Sequence, residues 1–407
     1  MGDTMDNILL VILDGIGDRF VPKLNGTVLQ YAKTGNLDFF AKAGINGIMD
    51  PVTPGIRPGS DTAHLSLLGY NPYDVYTGRG PFEAAGISIK LKEGDVAFRC
   101  NFATVDEKMI VKDRRAGRIK QGTGELARTL DGMMIDDVKI IFKEAVEHRG
   151  VLVFRGKNLS SNISDVDTHI DNVRIHESKP LSVDAEKTAG IVNRFVKESY
   201  QILKEHPVNM ERVRNKKMPA NIILPRGAGI FPKMGSMDEK YNLKSACVTG
   251  ISLVKGICRL AGMDIINVKG ATGGVDTNID AKIECAVKAL NKYDFVIMNI
   301  KAPDIFGHDG DAFGKVKMAE KIDKALEPLK NIDCLKIFTA DHSTPVTVKN
   351  HSADPVPITI TGKDVRVDDV KHFDEISCAK GALCRIQGRD LMNIALDLTN
   401  RNEKFGA

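Results

Sequence analysis

An unbroken apolar segment near the start of the chain is the feature that most limits the possible fold. Residues 7–17 are Asn-Ile-Leu-Leu-Val-Ile-Leu-Asp-Gly-Ile-Gly, so six consecutive apolar residues end at Asp14. Apolar residues at every position, rather than at alternate positions, are typical of a strand buried on both faces of a parallel sheet. A polar residue directly after such a strand faces the crevice where α/β proteins bind ligands. We therefore predict a parallel sheet with Asp14 at its functional edge.

The same design returns in the C-terminal half. Short apolar strands are predicted over 263–268, 294–301 and 334–340, and helices with one apolar face are predicted over 277–290 and 312–326. Strands that alternate with helices indicate an α/β fold with a central, mostly parallel sheet.

Between these two parts the sequence changes in character. It contains arginine clusters, glycine-rich turns, predicted strands over 96–105 and 151–154, and predicted helices near 135–148 and 185–206. At roughly 150 residues per domain, a chain of 407 residues has room for two or three domains. We interpret residues 77–234 as a smaller α/β domain inserted into a discontinuous core formed by residues 1–76 and 235–407.

Composition excludes several classes of partner. The 57 Lys and Arg residues nearly balance the 53 Asp and Glu residues, so we expect no nucleic acid and no membrane surface as a partner. No apolar run approaches the roughly 18 residues of a membrane span, and the N-terminus shows no signal-peptide pattern. The seven cysteines form no CxxC pair and indicate reduced thiols. We expect a cytoplasmic protein that binds a small molecule, and the oligomeric state stays open.

Metal-ligand residue types cluster directly after the predicted C-terminal strands. Asp304 and His308 follow one strand, Asp341 and His342 follow the next, and His351 lies nine residues further on. Each alone has a plainer explanation, such as a turn, a helix N-cap or a buried core histidine. Their coincidence at one sheet edge, together with Asp14, favours a site for two divalent cations such as Mn²⁺ or Zn²⁺.

Ser60 occupies a second notable position. The segment 51–59 contains three prolines and two glycines, and it ends where a helix is predicted to begin at Ser60. A serine there is most simply an N-cap, but beside a metal it is a candidate nucleophile, because a cation lowers the pKa of its hydroxyl group.

Six motifs together resemble a known family. They are Leu13-Asp-Gly15, Gly59-Ser-Asp-Thr-Ala-His-Leu65, Tyr76-Thr-Gly-Arg-Gly-Pro-Phe-Glu-Ala84, Asp304-x-x-x-His308-Asp-Gly, Thr339-Ala-Asp-His-Ser343 and His351-Ser-Ala-Asp-Pro355. In this order they resemble the cofactor-independent phosphoglycerate mutases of archaeal type, within the alkaline phosphatase superfamily. The resemblance spans essentially the whole chain and implies a two-metal phosphatase-like core interrupted by a phosphotransferase-type domain.

The resemblance also implies an activity. Such an enzyme interconverts 3-phosphoglycerate and 2-phosphoglycerate in glycolysis and gluconeogenesis through a phosphoserine, without 2,3-bisphosphoglycerate. Ser60 would be the residue phosphorylated. Two divalent ions are implied, with Mn²⁺ as the first choice and Zn²⁺, Co²⁺ or Mg²⁺ as alternatives. One ion would be bound by Asp304, His308 and His351, and the other by Asp14, Ser60, Asp341 and His342.

Substrate residues carry over from the same resemblance. The substrate-binding candidates are Arg99, Arg114, Arg115, Arg118, Arg155, His169 and Arg226, since guanidinium groups bind carboxylates and phosphates well. Lys244 is expected to contact a phosphate oxygen. Asp165 and Asp167 are catalytic candidates for the substrate hydroxyls, in a motif where Thr168 replaces the proline usual in the family.

Two other functions remain open. The same core could belong to a metal-dependent hydrolase or phosphotransferase that acts on another phosphate or phosphonate ester. The metal-ligand set could also serve a regulatory metal-binding scaffold without turnover, although such a scaffold needs no nucleophile.

Overall fold

The structure is a computed structural model that describes residues 7–406. Residues 1–6, part of the segment behind the expectation of no signal peptide, lie outside this range. The described chain divides into two compact units. The core unit contains the described residues up to Val75 and from Met234 onward, and the insert unit is Tyr76–Lys233.

The strands, numbered along the chain, are β1 (Ile8–Leu13), β2 (Gly44–Asp50), β3 (Val96–Val105), β4 (Val111–Asp113), β5 (Met134–Ile135), β6 (Val138–Glu144), β7 (Arg149–Arg155), β8 (Ile222–Ile230), β9 (Ser245–Val248), β10 (Asp264–Ile266), β11 (Phe295–Ile300), β12 (Leu335–Thr339), β13 (Val356–Thr361) and β14 (Cys384–Gln387).

The α-helices are α1 (Val28–Tyr31), α2 (Gly35–Lys42), α3 (Ser60–Leu67), α4 (Pro72–Val75), α5 (Gly80–Gly86), α6 (Thr123–Leu130), α7 (Glu186–Leu203), α8 (Pro207–Arg214), α9 (Met237–Tyr241), α10 (Ser252–Leu260), α11 (Ile279–Leu290), α12 (Ala302–Asp309), α13 (Ala312–Ala325), α14 (Glu375–Cys378) and α15 (Leu391–Leu398).

The core unit is built on one eight-stranded sheet in the order β10-β9-β11-β1-β12-β13-β2-β14. Only β13 runs against the other strands of this sheet, because it pairs antiparallel with both β12 and β2. Every residue of β1, β11 and β12 is buried, as expected for parallel strands covered on both faces. The mixed α/β fold with a mostly parallel sheet is therefore confirmed.

These three central strands end at the same edge of the sheet. In the parallel register, Leu13 lies beside Ile300, and Ile12 lies beside Thr339. The residues that follow, beginning with Asp14 and Lys301, consequently emerge together at the carboxyl edge.

The insert unit contains a six-stranded sheet that is antiparallel throughout. Its order is β4-β3-β7-β6-β5, and β8 pairs with β3. Its core is rich in aromatic rings, with Phe142 and Phe154 both packed against Phe195 of α7. The helix predicted near 135–148 is wrong, because this segment forms β5 and β6.

Other expectations can be compared with the described range. Residues 7–406 hold all seven cysteines, and no disulfide joins any two of them. Within the same range, none of the helices combines the length and the apolar composition that a membrane crossing requires.

Candidate active site

The carboxyl edge of the core sheet brings the predicted metal-ligand residues into two groups. The first group is Asp304, His308 and His351, and the second is Asp14, Asp341 and His342. Within each group, one ligand atom per residue lies within 4.8 Å of the others. The strand ends supply the second group, whereas α12 and the loop after β12 supply the first.

Helix α12 positions most of the first group. Asp304 and His308 are four residues apart on it, so they share a face, and Nε2 of His308 lies 3.5 Å from Oδ1 of Asp304. Nε2 of His351 lies at the same distance from that oxygen. Nδ1 of His308 is 3.1 Å from the Lys349 carbonyl oxygen, and Nδ1 of His351 is 2.8 Å from that of Pro58. A carbonyl only accepts, so each Nδ1 donates its proton and each Nε2 is free to bind a cation.

The second group is completely buried. Nε2 of His342 lies 3.3 Å from Oδ2 of Asp341 and 3.7 Å from Oδ1 of Asp14. Burial, and then the neighbouring Asp14 carboxylate, raise the pKa of Asp341 well above its usual range. Its Oδ2 atom accepts no hydrogen bond from any described residue. A buried carboxylate oxygen without a donor, among carboxylates and imidazoles, fits a divalent cation with oxygen and nitrogen ligands.

A hydrogen-bond chain fixes the tautomer of His342. Thr344 Oγ1 donates to Oδ1 of Asp304 at 2.6 Å, because a carboxylate can only accept. The same hydroxyl oxygen lies 3.0 Å from Nδ1 of His342 and must accept from it. The unprotonated nitrogen of His342 is therefore Nε2.

Ser60 faces that nitrogen. Its Oγ atom lies 3.2 Å from Nε2 of His342. The N-cap position of α3 belongs to Gly59, and Ser60 is the first residue inside the helix. The simpler explanation of Ser60 as a helix cap is therefore wrong, since its side chain contacts His342.

The insert unit contains a polar cavity of about 350 Å³. It is lined by Arg99, Asn101, Arg114, Arg115, Arg118, Glu147, His148, Arg149, His169 and Arg226. The cavity thus brings together six of the seven predicted substrate-binding residues, and it adds Asn101, Glu147, His148 and Arg149, which sequence analysis missed.

Carboxylates compensate the guanidinium groups of this cavity only in part. Asp167 pairs with Arg114 at 2.7 Å and lies 3.5 Å from Arg226, and Glu83 lies 3.8 Å from Arg99. Burial, and then the neighbouring Arg79, lower the pKa of Arg99 to about 9, and burial lowers the pKa of Arg226. Among residues 7–406, the Nε atoms of Arg99 and Arg226 have no hydrogen-bond acceptor. Buried donors without acceptors fit an anionic ligand with several oxygen atoms.

The chain also matches known proteins over its length. Residues 41–209 match the family model described as 2,3-bisphosphoglycerate-independent phosphoglycerate mutase. Proteins of that name from Methanothermobacter thermautotrophicus and Methanocaldococcus jannaschii are 54% and 53% identical to this chain. The alignments cover 98% of this chain in both cases, and 99% and 98% of those proteins. The chain belongs to this family.

Two solved structures are similar to this chain over nearly its whole length. A protein from Pyrococcus horikoshii has a TM-score of 0.87 at 37% identity, covering 99% of this chain and 100% of that one. The cofactor-independent phosphoglycerate mutase from Thermoplasma acidophilum has a TM-score of 0.74 at 40% identity, covering 97% and 100%. The resemblance to this family implied roles in substrate binding or catalysis for Lys244, Arg155 and Asp167. The positions of these three residues in the structure do not fit those roles.

Lys244 is the first correction. It immediately precedes β9, and its backbone N–H donates to Asp294 just before β11 begins. Since β9 and β11 are parallel, this is the amino edge of the sheet, opposite to the site. The lysine that reaches the site is Lys301, whose ammonium nitrogen lies 2.8 Å from Oδ1 of Asp14.

Arg155 and Asp167 are the other two corrections. Arg155 pairs with the buried Asp95 at 2.6 Å. It does not line the 350 Å³ cavity of the insert, which we call the arginine cavity. Asp167 accepts two 2.7 Å hydrogen bonds from Arg114. Burial acts to raise the pKa of Asp167, but the bonds from Arg114 and the neighbouring charges outweigh it, so the pKa is lowered. A carboxylate held this way is a poor base, and Asp167 instead orients Arg114.

Four polar residues of the core site escaped sequence analysis: the buried Asn299, His64 and Thr344, and Lys301, which is 20% exposed. Asn299 donates to Oδ2 of Asp14 at 2.9 Å, and its amide nitrogen also lies 3.3 Å from Nε2 of His64. The other ring nitrogen of His64 lies 2.7 Å from the Ser60 carbonyl oxygen. The sequence could have indicated Asn299, because an amide inside an apolar strand needs a buried hydrogen-bond partner. It indicated Lys301 less strongly, by a charged residue directly after the same strand.

Proposed function

We propose that this protein interconverts 3-phosphoglycerate and 2-phosphoglycerate through a phosphoserine on Ser60, without 2,3-bisphosphoglycerate. The observation that carries the proposal is the 3.2 Å contact between Oγ of Ser60 and the unprotonated Nε2 of His342, beside two metal-ligand groups. The names of the close relatives support this substrate over other phosphate or phosphonate esters.

Two divalent cations belong to the proposal, with Mn²⁺ as the first choice. Asp304, His308 and His351 would hold one, and Asp14, Asp341, His342 and Ser60 would hold the other. When bound, such cations lower the pKa of a serine hydroxyl and take up negative charge from the transferring phosphoryl group.

The chemistry consists of two balanced half-reactions. In the first, Oγ of Ser60 forms a bond to phosphorus while the bond from phosphorus to the C3 oxygen of the glycerate breaks. The serine loses one proton, and the released glycerate oxygen gains one. In the second, the C2 hydroxyl oxygen attacks the phosphoserine, so the bond to Ser60 breaks and the proton count returns to its starting value.

The residues of the insert would bind the glycerate. The arginine cavity offers several donors for a carboxylate, and we assign this role to Arg99, Arg115, Arg118 and Arg226, with Arg114 and Asp167 fixing the shape of the wall. Asp165 is our candidate base for the substrate hydroxyl. It accepts one backbone hydrogen bond, from Gly227 at 2.8 Å, and is less buried than Asp167.

Turnover distinguishes the proposal from its rivals. The pure protein is incubated with Mn²⁺ and 3-phosphoglycerate, without bisphosphoglycerate, and phosphorus NMR follows 2-phosphoglycerate and free phosphate. We expect 2-phosphoglycerate as the main product. Ser60→Ala is the test variant and Ser66→Ala, in the same helix, is the matched control. Free phosphate without 2-phosphoglycerate would favour a hydrolase, and cation binding without any turnover would favour a scaffold.

A further inference from the structure

Lys301 joins the two metal-ligand groups. Its ammonium nitrogen lies 2.8 Å from Oδ1 of Asp14, which belongs to one group, and 2.7 Å from Oδ2 of Asp304, which belongs to the other. The lysine side chain is 20% exposed, and the two carboxylates are 0% and 3% exposed. Lys301 directly follows β11, so the strand end fixes its backbone between these partners.

Lys301 contacts the buried carboxylates directly, whereas the buried Lys282 and Lys315 act on Asp14 and Asp304 only at longer range. Three carboxylates, from Asp14, Asp304 and Asp341, are buried in this region. Among the described residues, their ion-pair contacts come from Lys301 and from histidines. Within residues 7–406, Lys301 is therefore the one lysine whose ammonium group contacts any of these carboxylates directly.

The two contacts of Lys301 differ in which carboxylate oxygen they leave available to a cation. On Asp304, Lys301 binds Oδ2, whereas His308 and His351 face Oδ1. On Asp14, Lys301 binds Oδ1, which is also the oxygen that lies 3.7 Å from Nε2 of His342. A cation held by Asp14 and His342 would need the oxygen that Lys301 already contacts. Competition is thus direct at the Asp14 group and only electrostatic at the Asp304 group.

We propose that Lys301 is a built-in counter-ion that stabilises the buried carboxylates without a divalent cation and weakens cation binding, most strongly at the group of Asp14, Asp341 and His342. The inference rests on the proposed metal centre. A fixed ammonium repels a divalent cation a few ångströms away, and it also keeps carboxylates from different elements together. The fold can then form before any cation binds, at the expense of cation affinity.

The test measures cation binding and stability, not turnover. Lys301→Met and Lys301→Gln are compared with wild type and with Lys336→Met. Lys336 is a matched control, because it is also a buried lysine of the core unit but donates only to the carbonyl oxygens of Ile332 and Cys334. Mn²⁺ alone is titrated by calorimetry, and thermal unfolding is followed in excess chelator and in saturating Mn²⁺.

For both Lys301 variants we expect Mn²⁺ to bind at least about tenfold more tightly at one site, with a smaller gain at the other. The melting temperature should fall in chelator and change much less in Mn²⁺. Lys336→Met should leave both affinities unchanged and lower the two melting temperatures equally.

Three outcomes overturn the inference, and they can be distinguished from one another. If wild type binds Mn²⁺ and neither Lys301 variant binds it more tightly, Lys301 is not a competitor, and the metal centre itself stands. If wild type binds no Mn²⁺, the proposed metal centre fails together with the inference. Equal losses of melting temperature with and without Mn²⁺ would identify Lys301 as an ordinary structural residue.

Discussion

Oγ of Ser60 lies 3.2 Å from Nε2 of His342, and a hydrogen-bond chain keeps that nitrogen unprotonated. The chain runs from His342 through Thr344 to Asp304, so a residue of one ligand group sets the tautomer of a residue in the other. The ring of His342 also stacks on that of His351, with 3.6 Å between the ring centroids. The nucleophile candidate and both ligand groups consequently form one connected unit rather than neighbouring sites.

Replacing Ser60 by alanine should reduce mutase activity below about a hundredth of wild type, since a covalent nucleophile cannot be replaced by binding alone. The free energy of unfolding should change by less than about 1 kcal/mol, because Gly59 rather than Ser60 occupies the N-cap. Phosphopeptide mapping after a quench with substrate should locate phosphate on Ser60 in wild type. Phosphate on another residue would contradict the assignment.

Excess chelator should abolish activity, and Mn²⁺ should restore it. Removing one ligand by His351→Ala should weaken Mn²⁺ binding at least about tenfold, whereas His372→Ala should not change it. His372 is a suitable control because it is an exposed histidine of the core unit that pairs with Asp38. Calorimetric titration of the full chain measures both effects, and equal affinities in the two variants would count against the Asp304 group.

Lys244→Ala should keep activity within about twofold of wild type, because exposed charges far from a site contribute little. Its ammonium nitrogen lies 5.6 Å from the ring centroid of Tyr293, at the amino edge of the sheet. Steady-state kinetics on the purified variant test this prediction. A hundredfold loss of activity would show that Lys244 acts in the site after all.

The sequence predicted best those site residues that directly follow an apolar strand. A fully apolar run located β1, and mostly apolar runs located β11 and β12. Parallel pairing then required Asp14 and Asp341 to meet at one edge. Lys244 was expected at the site because of the family resemblance and not because of a strand. It precedes β9, and a residue before a parallel strand lies at the amino edge of the sheet, away from the ligand-binding edge.

Other errors arose from periodicity and from distant partners. The segment predicted as a helix near 135–148 contains buried Val138, Ile140 and Phe142 in alternation with partly or fully exposed residues, which is the period of a strand. Arg155 resembled the other arginines in sequence, but its partner Asp95 is 60 residues away. Only the folded chain separates an arginine that holds the fold from one that lines the cavity.

The stability of the insert should depend on pH through His148. Burial, and then Arg149 and Arg115, lower its pKa to about 4, whereas an unfolded histidine has a pKa of about 6.5. Between these values the unfolded chain takes up a proton that the folded chain excludes. Stability is therefore complete above about pH 6.5 and is lost as the pH falls toward 4, by up to roughly 3 kcal/mol.

This pH dependence can be measured in the full chain. Cys100 is the one cysteine of the insert sequence and is buried in β3, so its labelling in urea by a reagent active at acidic pH reports unfolding of this unit. His148→Gln should remove most of the difference between pH 7 and pH 5, and replacing the exposed His176 by glutamine should preserve it. An unchanged difference in His148→Gln would show that another group titrates.

Arg226 and Arg155 provide the sharpest test of the arginine cavity, because both lie on strands of the same sheet and only Arg226 lines the cavity. Arg226→Ala removes a buried guanidinium that we assign to the glycerate carboxylate, so kcat/KM should fall about 10²-fold, as expected for a charge-assisted contact of roughly 1.5–3 kcal/mol. Arg155→Ala leaves the buried Asp95 without its partner, so it should lower the free energy of unfolding by about 3 kcal/mol or somewhat less while changing kcat/KM less than about twofold. Steady-state kinetics and urea unfolding on the same two proteins separate these effects. The opposite pattern, with kcat/KM lost in Arg155→Ala and retained in Arg226→Ala, would move the carboxylate site out of the cavity and to the Arg155 end of β7.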